Sequence, residues 1–350
     1  MAFSGRDVAL SFVGGFLAAL IVSLVAGVVI LQRSDARGLG HWKLNAKMPL
    51  ATMWMNLGYW TRDDGSQVTT FEEATSNLLR QILLQADLIS PRASPQRSIA
   101  ILDVGFGCGD QTWALVKSID PSTNYTDFRY IGLTLDEAQT ETASRYIYSS
   151  VASSKAPCPD ATAFKLFCAD ASVPKKWAGP VHREVEALKA FGEKWFLALD
   201  CIYYFSPSRR PIMDFSANRL GAGFMAFDLL MNPEASRKTA LIARLIGVMM
   251  GCPFRTFLTQ VEYERQLVDC GYPKEQIEIR DITEHVFPGI VRFLDAQDRA
   301  LSQYGISLGG YKLAGRLFDW FGRSGALKAV IVVARAKGSM GDVSAASVET

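Results

Sequence analysis

Residues 101–111 read ILDVGFGCGDQ, an apolar run that leads into three glycines at alternate positions. Glycine permits positive φ angles and close approach of the backbone to a ligand, and a helix starting directly afterwards would offer free N–H groups to a polar group. A dinucleotide fingerprint reads G-x-G-x-x-G, whereas Gly105, Gly107 and Gly109 are spaced G-x-G-x-G. Asp103 precedes the first of them by two residues. The spacing favours a ligand without a pyrophosphate; a purely structural strand-to-helix turn is the alternative.

On both sides of this stretch, short apolar runs alternate with helical patterns, which is typical of βαβ units. The runs are continuous rather than alternating in polarity, as expected for a parallel sheet covered on both faces. We predict strands at residues 100–104, 128–133, 163–168, 195–198, 223–230, 276–280 and 329–334. We predict helices at residues 71–88, 111–118, 136–149, 183–191, 209–220 and 254–270. The fold class is therefore α/β with a seven-stranded sheet.

Two very apolar segments, residues 241–250 and 306–321, do not fit this alternation. We interpret them as cap insertions over a ligand site, which would suit a lipophilic ligand. Lys312 and Arg316 lie in the second segment and Arg323 follows it; these cations suit lipid headgroups. Ordinary core packing is the alternative for both.

From residue 54 to residue 337 the chain resembles the class I S-adenosylmethionine (SAM)-dependent methyltransferases, most strongly at the glycine-rich stretch. The resemblance implies a Rossmann-like, mostly parallel sheet sandwiched by helices, with the last strand antiparallel. It also implies that the backbone of Gly105, Gly107 and Gly109 holds the amino-acid end of SAM. Asp103 would then lie near the ammonium group of that cofactor.

The end of the second strand departs from the usual family pattern, in which an acid binds the ribose hydroxyls, because Thr134 takes that place. Gly-Leu-Thr-Leu followed by Gln139 is similar to the cyclopropane-fatty-acid, sterol and small-molecule methyltransferase group, where Thr and Gln contact the ribose. A hydroxyl and an amide can satisfy a diol, so we predict Thr134 and Gln139 as ribose ligands; a strand end and a solvated helix residue are the alternative. The resemblance assigns Asp170, after the third strand, to the adenine amino group, although it could equally cap a helix.

The fourth predicted strand leads to Asp200, Tyr203 and Tyr204 at the carboxyl edge, where open α/β sheets bind ligands. We assign Asp200 to the cofactor and both tyrosines to the transferred methyl group, with aromatic core packing as the alternative. Related enzymes have Asp-x-x-Tyr-His-Phe here, so Tyr204 replaces a histidine. A tyrosine with a pKa of about 10 is a poor base at neutral pH but a good hydrogen-bond partner. The Glu-His pair of cyclopropane synthases is also missing, which disfavours cyclopropanation.

Two further elements bear on substrate choice. Residues 56–60 read NLGYW and resemble a segment that folds over the cofactor mouth in this methyltransferase group. Tyr59 and Trp60 would stack on a ligand there or pack in the core. His285, which follows the sixth strand, is the best remaining candidate base; a structural or surface role is its alternative.

Composition argues against several function classes. The formal net charge is +2 and no Arg-rich stripe with interleaved aromatic residues occurs, so we expect no nucleic-acid partner. The 6 cysteines form no C-x-x-C pair, which suggests a reducing compartment, and we expect neither a structural zinc nor another metal site.

Residues 8–31 contain no charged side chain and would form a helix of about 36 Å, longer than a hydrocarbon core of about 30 Å. No small-x-small cleavage site follows this run, which argues against a cleaved signal peptide; a buried core helix is the alternative. We predict a membrane anchor with one transmembrane helix (1–32), a juxtamembrane linker with the NLGYW segment (33–70), a methyltransferase domain (71–338) and a flexible tail (339–350). Basic residues after the span place the catalytic domain in the cytosol by the positive-inside rule, and we expect the endoplasmic reticulum.

These observations together predict SAM-dependent methyl transfer to a small, hydrophobic acceptor, a lipid, sterol or secondary metabolite, at a membrane surface. The acceptor atom, carbon, oxygen or nitrogen, stays open. Two other classes also stay open: a catalytically silent SAM-binding membrane scaffold, and a nicotinamide oxidoreductase, which the glycine spacing opposes.

Overall fold

The computed structural model describes residues 19, 21–23, 50–89, 97–119 and 125–337. The chain divides into two units, one of Met1–Ala51 with Ala296–Gly309 and one of Thr52–Asp295 with Gly310–Thr350. In the described part of the chain, no helix is long and apolar enough to cross a membrane. The predicted anchor lies outside the described residues, apart from Ala19 and residues 21–23, which are helical. The predicted tail also lies outside them.

The larger unit is built on one seven-stranded sheet. Its strands are β1 (Arg97–Val104), β2 (Tyr125–Thr134), β3 (Phe164–Cys168), β4 (Glu193–Leu199), β5 (Gly223–Met231), β6 (Ile277–Asp281) and β7 (Leu327–Ala334). They lie in the order β3-β2-β1-β4-β5-β7-β6. Neighbours from β3 to β5 are parallel, whereas β7 is antiparallel to both β5 and β6. The predicted fold class, the seven strands and the antiparallel last strand are thereby confirmed.

Nine α-helices of the described residues surround or extend this sheet. They are α1 (Phe71–Gln85), α2 (Asp110–Ser118), α3 (Glu137–Ser153), α4 (Gly179–Ala187), α5 (Arg210–Asp214), α6 (Arg237–Met249), α7 (Gln260–Asp269), α8 (Thr283–Ser302) and α9 (Gly310–Ser324). A π-helical turn over Phe215–Leu220 continues α5. The apolar segments that we interpreted as cap insertions form α6 and most of α9.

Two helix predictions need correction. The helix predicted from residue 254 begins only at Gln260, because Thr259 and Glu262 form a capping box that fixes its first turn. The 20-residue helix α8 was not predicted from the sequence. Pro288 occupies the second turn of α8, where its missing N–H removes one intrahelical hydrogen bond without ending the helix.

The core lies on both sides of the central strands. Every residue of β5 is buried, as expected for a strand covered on both faces. Alternate residues of β1, β4, β5 and β7 share one buried cluster with residues of α4, α5 and α7. Helix α1 packs beside α2 and contacts β5 and β7. The strand order reverses between β1 and β4, and such a reversal opens a crevice at the carboxyl ends of the strands.

Candidate functional site

The three glycines after β1 have different surroundings, although all have positive φ angles of 73°, 66° and 102°. A Cβ atom on Gly105 would meet Cys201 Cβ at 2.8 Å, and one on Gly109 would meet Ala143 Cα at 3.1 Å. A Cβ atom on Gly107 would meet only Met55 Sδ, at 3.7 Å. Gly105 and Gly109 therefore allow close packing against the segment after β4 and against α3, whereas Gly107 borders open space.

Asp103 is fully buried directly before this loop. Its carboxyl oxygens accept hydrogen bonds from Gln111 Nε2 at 2.8 and 2.7 Å and from the Tyr130 hydroxyl at 2.6 Å. Burial raises the pKa of Asp103 to about 7, although both hydrogen bonds oppose the shift. The carboxyl group therefore ties β1 to the first turn of α2 and to β2. The proposed contact with the SAM ammonium group stays a prediction.

Thr134 and Gln139 lie together at the end of β2, as their paired role requires. The Thr134 hydroxyl donates to Gln139 Oε1 at 2.9 Å, and Gln139 Nε2 lies 3.7 Å from Met55 Sδ. Asp136, between them in sequence, instead accepts from the Gln139 N–H and caps α3. Met55 thus reaches both Gly107 and Gln139, so the glycine loop and the predicted ribose ligands border the same space.

Replacing Thr134 with valine should weaken SAM binding by about 1–3 kcal/mol, roughly five- to 150-fold, because a polar group of the ligand loses its partner in a closed site. Valine keeps the β-branched shape, so we expect little change in the denaturation midpoint. Calorimetric titration with SAM measures the effect. Asp136→Asn is the matched control, since asparagine caps helices as well as aspartate does; strong weakening by Asp136→Asn, with Thr134→Val unaffected, would move the ribose contact to the acid.

Asp170 is exposed after β3 and forms a local turn. Its Oδ1 accepts from the Ser172 N–H at 2.8 Å and from the Ser172 hydroxyl at 2.6 Å. Its backbone carbonyl accepts from Trp177 Nε1 at 2.7 Å. No α-helix follows directly, so the capping alternative does not describe this residue; the adenine contact stays a prediction.

Asp200 occupies a left-handed backbone conformation, with φ of 63°, directly after β4. Its two oxygens accept from the Tyr203 hydroxyl at 2.6 Å and from the Leu57 N–H at 2.8 Å. Burial raises the pKa of Asp200 to about 7. A left-handed conformation is uncommon for a residue with a side chain, and here it directs the carboxyl group to two donors that come from different parts of the chain.

The two tyrosines differ in accessibility. Tyr203 is buried, and burial together with Asp200 holds its pKa well above 10. Tyr204 is 40% exposed, and desolvation raises its pKa to about 12. Their rings lie 4.5 Å apart. Both hydroxyls therefore stay protonated at neutral pH and act as hydrogen-bond donors rather than bases, and Tyr204 is the one that reaches solvent.

A buried ion pair that the sequence analysis missed supports these tyrosines from behind. Arg209, before α5, pairs with Asp228 of β5, and both side chains are almost completely buried. The Arg209 guanidinium also donates to the carbonyl and hydroxyl oxygens of Thr256. The Thr256 hydroxyl in turn donates to the Tyr203 carbonyl at 2.6 Å. The sequence did hold a signal for this pair: Asp228 is a lone acid inside the apolar strand GFMAFDLLM, and a buried carboxylate needs a partner.

Residues 53–60, the covering segment, are held by hydrogen bonds that their backbone N–H groups donate to side-chain and backbone oxygens. The Met53 N–H donates to Asp110 Oδ2 at 3.0 Å and the Trp60 N–H to the His285 carbonyl at 2.8 Å. Gly58 has a φ of 75° and lies so close to Ala74 that a Cβ atom would approach within 2.8 Å. The NLGYW sequence thus fits the segment against α1, β4 and α8.

The side chains of Tyr59, Trp60 and His285 contact other parts of the protein within this packing. Trp60 is buried, its Nε1 donates to the Leu57 carbonyl at 2.8 Å, and it fills the space above Gly289. Tyr59 is stacked on the His285 ring at 4.6 Å. The Nδ1 atom of His285 lies 2.9 Å from the Thr61 hydroxyl. These contacts match the structural alternatives that we gave for Trp60 and His285, and the ligand-contact roles stay predictions.

Comparison with known proteins confirms the fold. No family model matches the chain, and no curated protein sequence matches it. Among solved structures, a sarcosine dimethylglycine methyltransferase described as putative, from Galdieria sulphuraria, is similar with 13% identity and a TM-score of 0.54, over 80% of this chain and 93% of the other. A geranyl diphosphate methyltransferase in complex with SAM has 14% identity and a TM-score of 0.51, over 81% and 99%. The [4+2]-cyclase SpnF has 15% identity and a TM-score of 0.51, over 81% and 88%.

These similarities confirm the resemblance to class I SAM-dependent methyltransferases at the level of the fold. At such low identity they do not carry a substrate or a reaction to this chain. The cyclase makes the same point, because its name describes a different reaction on a similar fold. The function therefore has to be argued from the site.

Proposed function

We propose that this protein is a SAM-dependent methyltransferase that acts on a small hydrophobic acceptor at a membrane surface. The observation that carries the proposal is the open space at Gly107, bordered by Met55 and the Thr134–Gln139 pair. SAM-bound relatives in fold support the choice of cofactor. SAM supplies an activated methyl group on a sulfonium sulfur.

The residues present fit this cofactor. A Cβ atom on Gly107 would enter the space that a ligand needs, the Thr134–Gln139 pair offers hydroxyl and amide groups for a diol, and Asp200 offers a carboxyl group that titrates near neutral pH. A negative charge on Asp200 favours a cationic ligand. These three features lie at the carboxyl ends of β1, β2 and β4, where sheets of this order bind ligands.

When bound, SAM would supply its methyl group to the acceptor nucleophile, S-adenosylhomocysteine would be the other product, and the proton that the methylated acceptor loses would pass to bulk solvent. This chain would contribute mainly alignment of the acceptor with the methyl group. The protonated hydroxyl of Tyr204 orients the acceptor by a hydrogen bond, while Tyr203 and the Leu57 N–H hold Asp200 in place. The raised pKa of Tyr204, about 12, removes it as a base at neutral pH.

Calorimetry should show that the protein binds SAM and S-adenosylhomocysteine and does not bind NADH. SAM binding should strengthen as the pH rises from about 6 to 8, because Asp200, with a pKa of about 7, becomes charged and attracts the cation. NADH binding without SAM binding would overturn the proposal in favour of an oxidoreductase. SAM binding without turnover on lipid, sterol and phenolic acceptors would instead favour the silent scaffold.

We also propose that residues 1–32 anchor the protein in a membrane, with the catalytic domain in the cytosol and the endoplasmic reticulum as the expected organelle. The uncharged run over residues 8–31 and the basic residues after it support this proposal.

Deletion of residues 1–32 should move the protein from the membrane pellet to the carbonate-washed supernatant and leave SAM binding unchanged. We expect SAM binding to be unchanged because the covering segment starts at Met53 and the sheet at Arg97, well after the deletion. Cell fractionation and SAM titration measure the two results. Retention of the truncated protein after carbonate washing would show that a second integral segment holds it.

A further inference from the structure

Helix α6 turns an apolar stripe outward. Leu241, Leu245, Val248 and Met249 are between 47% and 72% exposed, and their spacing of i, i+4, i+7 and i+8 places them on one face of a helix. Ala243 and Gly247 on the opposite face are buried, and Gly247 lies directly against the Phe257 ring. A surface helix of a globular protein normally directs its apolar stripe to the core, so this stripe needs a partner outside the core.

The apolar surface continues beyond α6. Phe254 follows the helix and is 44% exposed, and α9, which contacts α6, exposes Tyr311 and Leu313. We define the α6–α9 face by these side chains: Leu241, Leu245, Val248, Met249, Phe254, Tyr311 and Leu313. Helix α6 contains Arg237, Lys238 and Arg244 and no acid, and α9 contains three basic residues and one acid. Both helices that form this face are therefore positively charged.

The same segment that carries Phe254 leads to the tyrosines of the candidate site. Cys252 is buried and close enough to Tyr204 to contribute to its raised pKa. Thr256 donates its hydroxyl hydrogen to the Tyr203 carbonyl at 2.6 Å. Residues 252–256 thus contact Tyr203, whose ring lies 4.5 Å from that of Tyr204, and expose Phe254, so the accessible Tyr204 and the apolar stripe are linked through one short segment.

We propose that the α6–α9 face lies in the interface of an anionic lipid bilayer, and that the hydrophobic acceptor passes from the bilayer to Tyr204 along it. This inference rests on the proposed function and adds the surface through which the acceptor arrives. Exposed apolar side chains on basic helices are the combination that binds anionic membrane surfaces. A second copy of the chain would bring these like charges together. The uncharged run over residues 8–31, which we propose as the anchor, would already hold the chain at a membrane surface.

The test uses the full chain in vesicles of phosphatidylcholine and phosphatidylserine that contain a phosphatidylcholine with a photoreactive diazirine in its acyl chain. After illumination, mass spectrometry should find lipid adducts in peptides that cover residues 241–254 and 311–313, in addition to adducts in residues 8–31. Peptides around Tyr148 of α3, which is 70% exposed, should stay unlabelled. Adducts confined to residues 8–31 would overturn the proposal.

A charged variant sharpens the result. The triple change Leu241→Asp, Leu245→Asp and Met249→Asp should lower labelling of residues 241–254 by about tenfold, since acidic groups oppose both burial and the anionic surface. Tyr148→Asp, an equally exposed substitution on α3, should leave labelling unchanged. In a parallel sample treated with a bifunctional amine-reactive crosslinker, copy-to-copy crosslinks through Lys238 of α6 that the triple variant abolishes, with no lipid adducts, would show that a second copy covers the face.

SAM binding measured on the same vesicles separates the two proposals. Both variants should bind SAM as the unchanged chain does, because the altered side chains are exposed and lie outside the glycine loop. Lipid adducts at α6 in a protein that does not bind SAM would remove the proposed function and keep the docking surface. SAM binding without these adducts would remove the docking surface and keep the proposed function.

Discussion

Gly107→Val should lower the affinity for SAM at least about 100-fold, a loss large enough to remove the calorimetric signal. A Cβ atom on Gly107 meets only Met55 Sδ, at 3.7 Å, so the added side chain would project into the space that we assign to the cofactor. Valine is also strained at a φ of 66°, which should cost about 1–2 kcal/mol of stability. Calorimetric titration and urea denaturation measure the two effects.

Gly65 is the control position, because a side chain there is strained in the same way but lies away from the proposed cofactor site. This glycine has a φ of 82°, lies in an exposed turn, and has no atom within 4 Å of a built Cβ. Gly65→Val should therefore show a comparable stability loss with unchanged SAM affinity. Gly105→Val and Gly109→Val should mainly destabilise the fold, because they collide with Cys201 and with α3. Normal SAM binding by Gly107→Val would place the cofactor elsewhere.

The features that sequence spacing predicted well are local ones. The glycine loop follows a strand and precedes a helix, and Thr134 and Gln139 lie five residues apart at one strand-to-helix junction, where they form a hydrogen bond. Such features depend on short-range geometry that the order of residues carries. The inner strands β4, β5 and β7 were found because they form nearly continuous apolar runs, the pattern of a strand covered on both faces, whereas the edge strand β6 reads IEIRD and is only partly buried.

Long-range partners were not predictable in this way. Leu57 and Asp200 are joined by a hydrogen bond across 143 positions, and no periodicity brings them together. The NLGYW motif suggested ligand stacking or core packing; its asparagine and glycine build a turn and Trp60 fills a space above α8, contacts that only the folded chain reveals. His285 drew attention as a lone histidine, yet its neighbours Tyr59 and Thr61 come from the covering segment and the residue that follows it.

The second large expected effect is a loss of stability on breaking the buried ion pair between Arg209 and Asp228. Arg209→Met should destabilise the protein by about 3–5 kcal/mol, because removing one partner of a buried ion pair leaves the other charge uncompensated. Asp228 is completely buried, and Arg209 also satisfies the carbonyl of Thr256. Urea denaturation gives the free energy of unfolding. Exposed pairs such as Arg80 with Asp63 provide the control, and Arg80→Met should cost no more than about 1 kcal/mol.

The pH dependence of this loss identifies its cause. Burial already raises the pKa of Asp228, and the positive charge of Arg209 opposes that shift. Without Arg209 the native pKa rises further, so the native state binds a proton that the unfolded chain has released above about pH 4. The deficit of Arg209→Met should therefore be small near pH 5 and grow towards pH 8. The double variant Arg209→Met with Asp228→Leu should recover most of the lost stability and lose the pH dependence. A deficit that is equal at both pH values would mean that lost packing, rather than the unpaired Asp228 carboxylate, destabilises the variant.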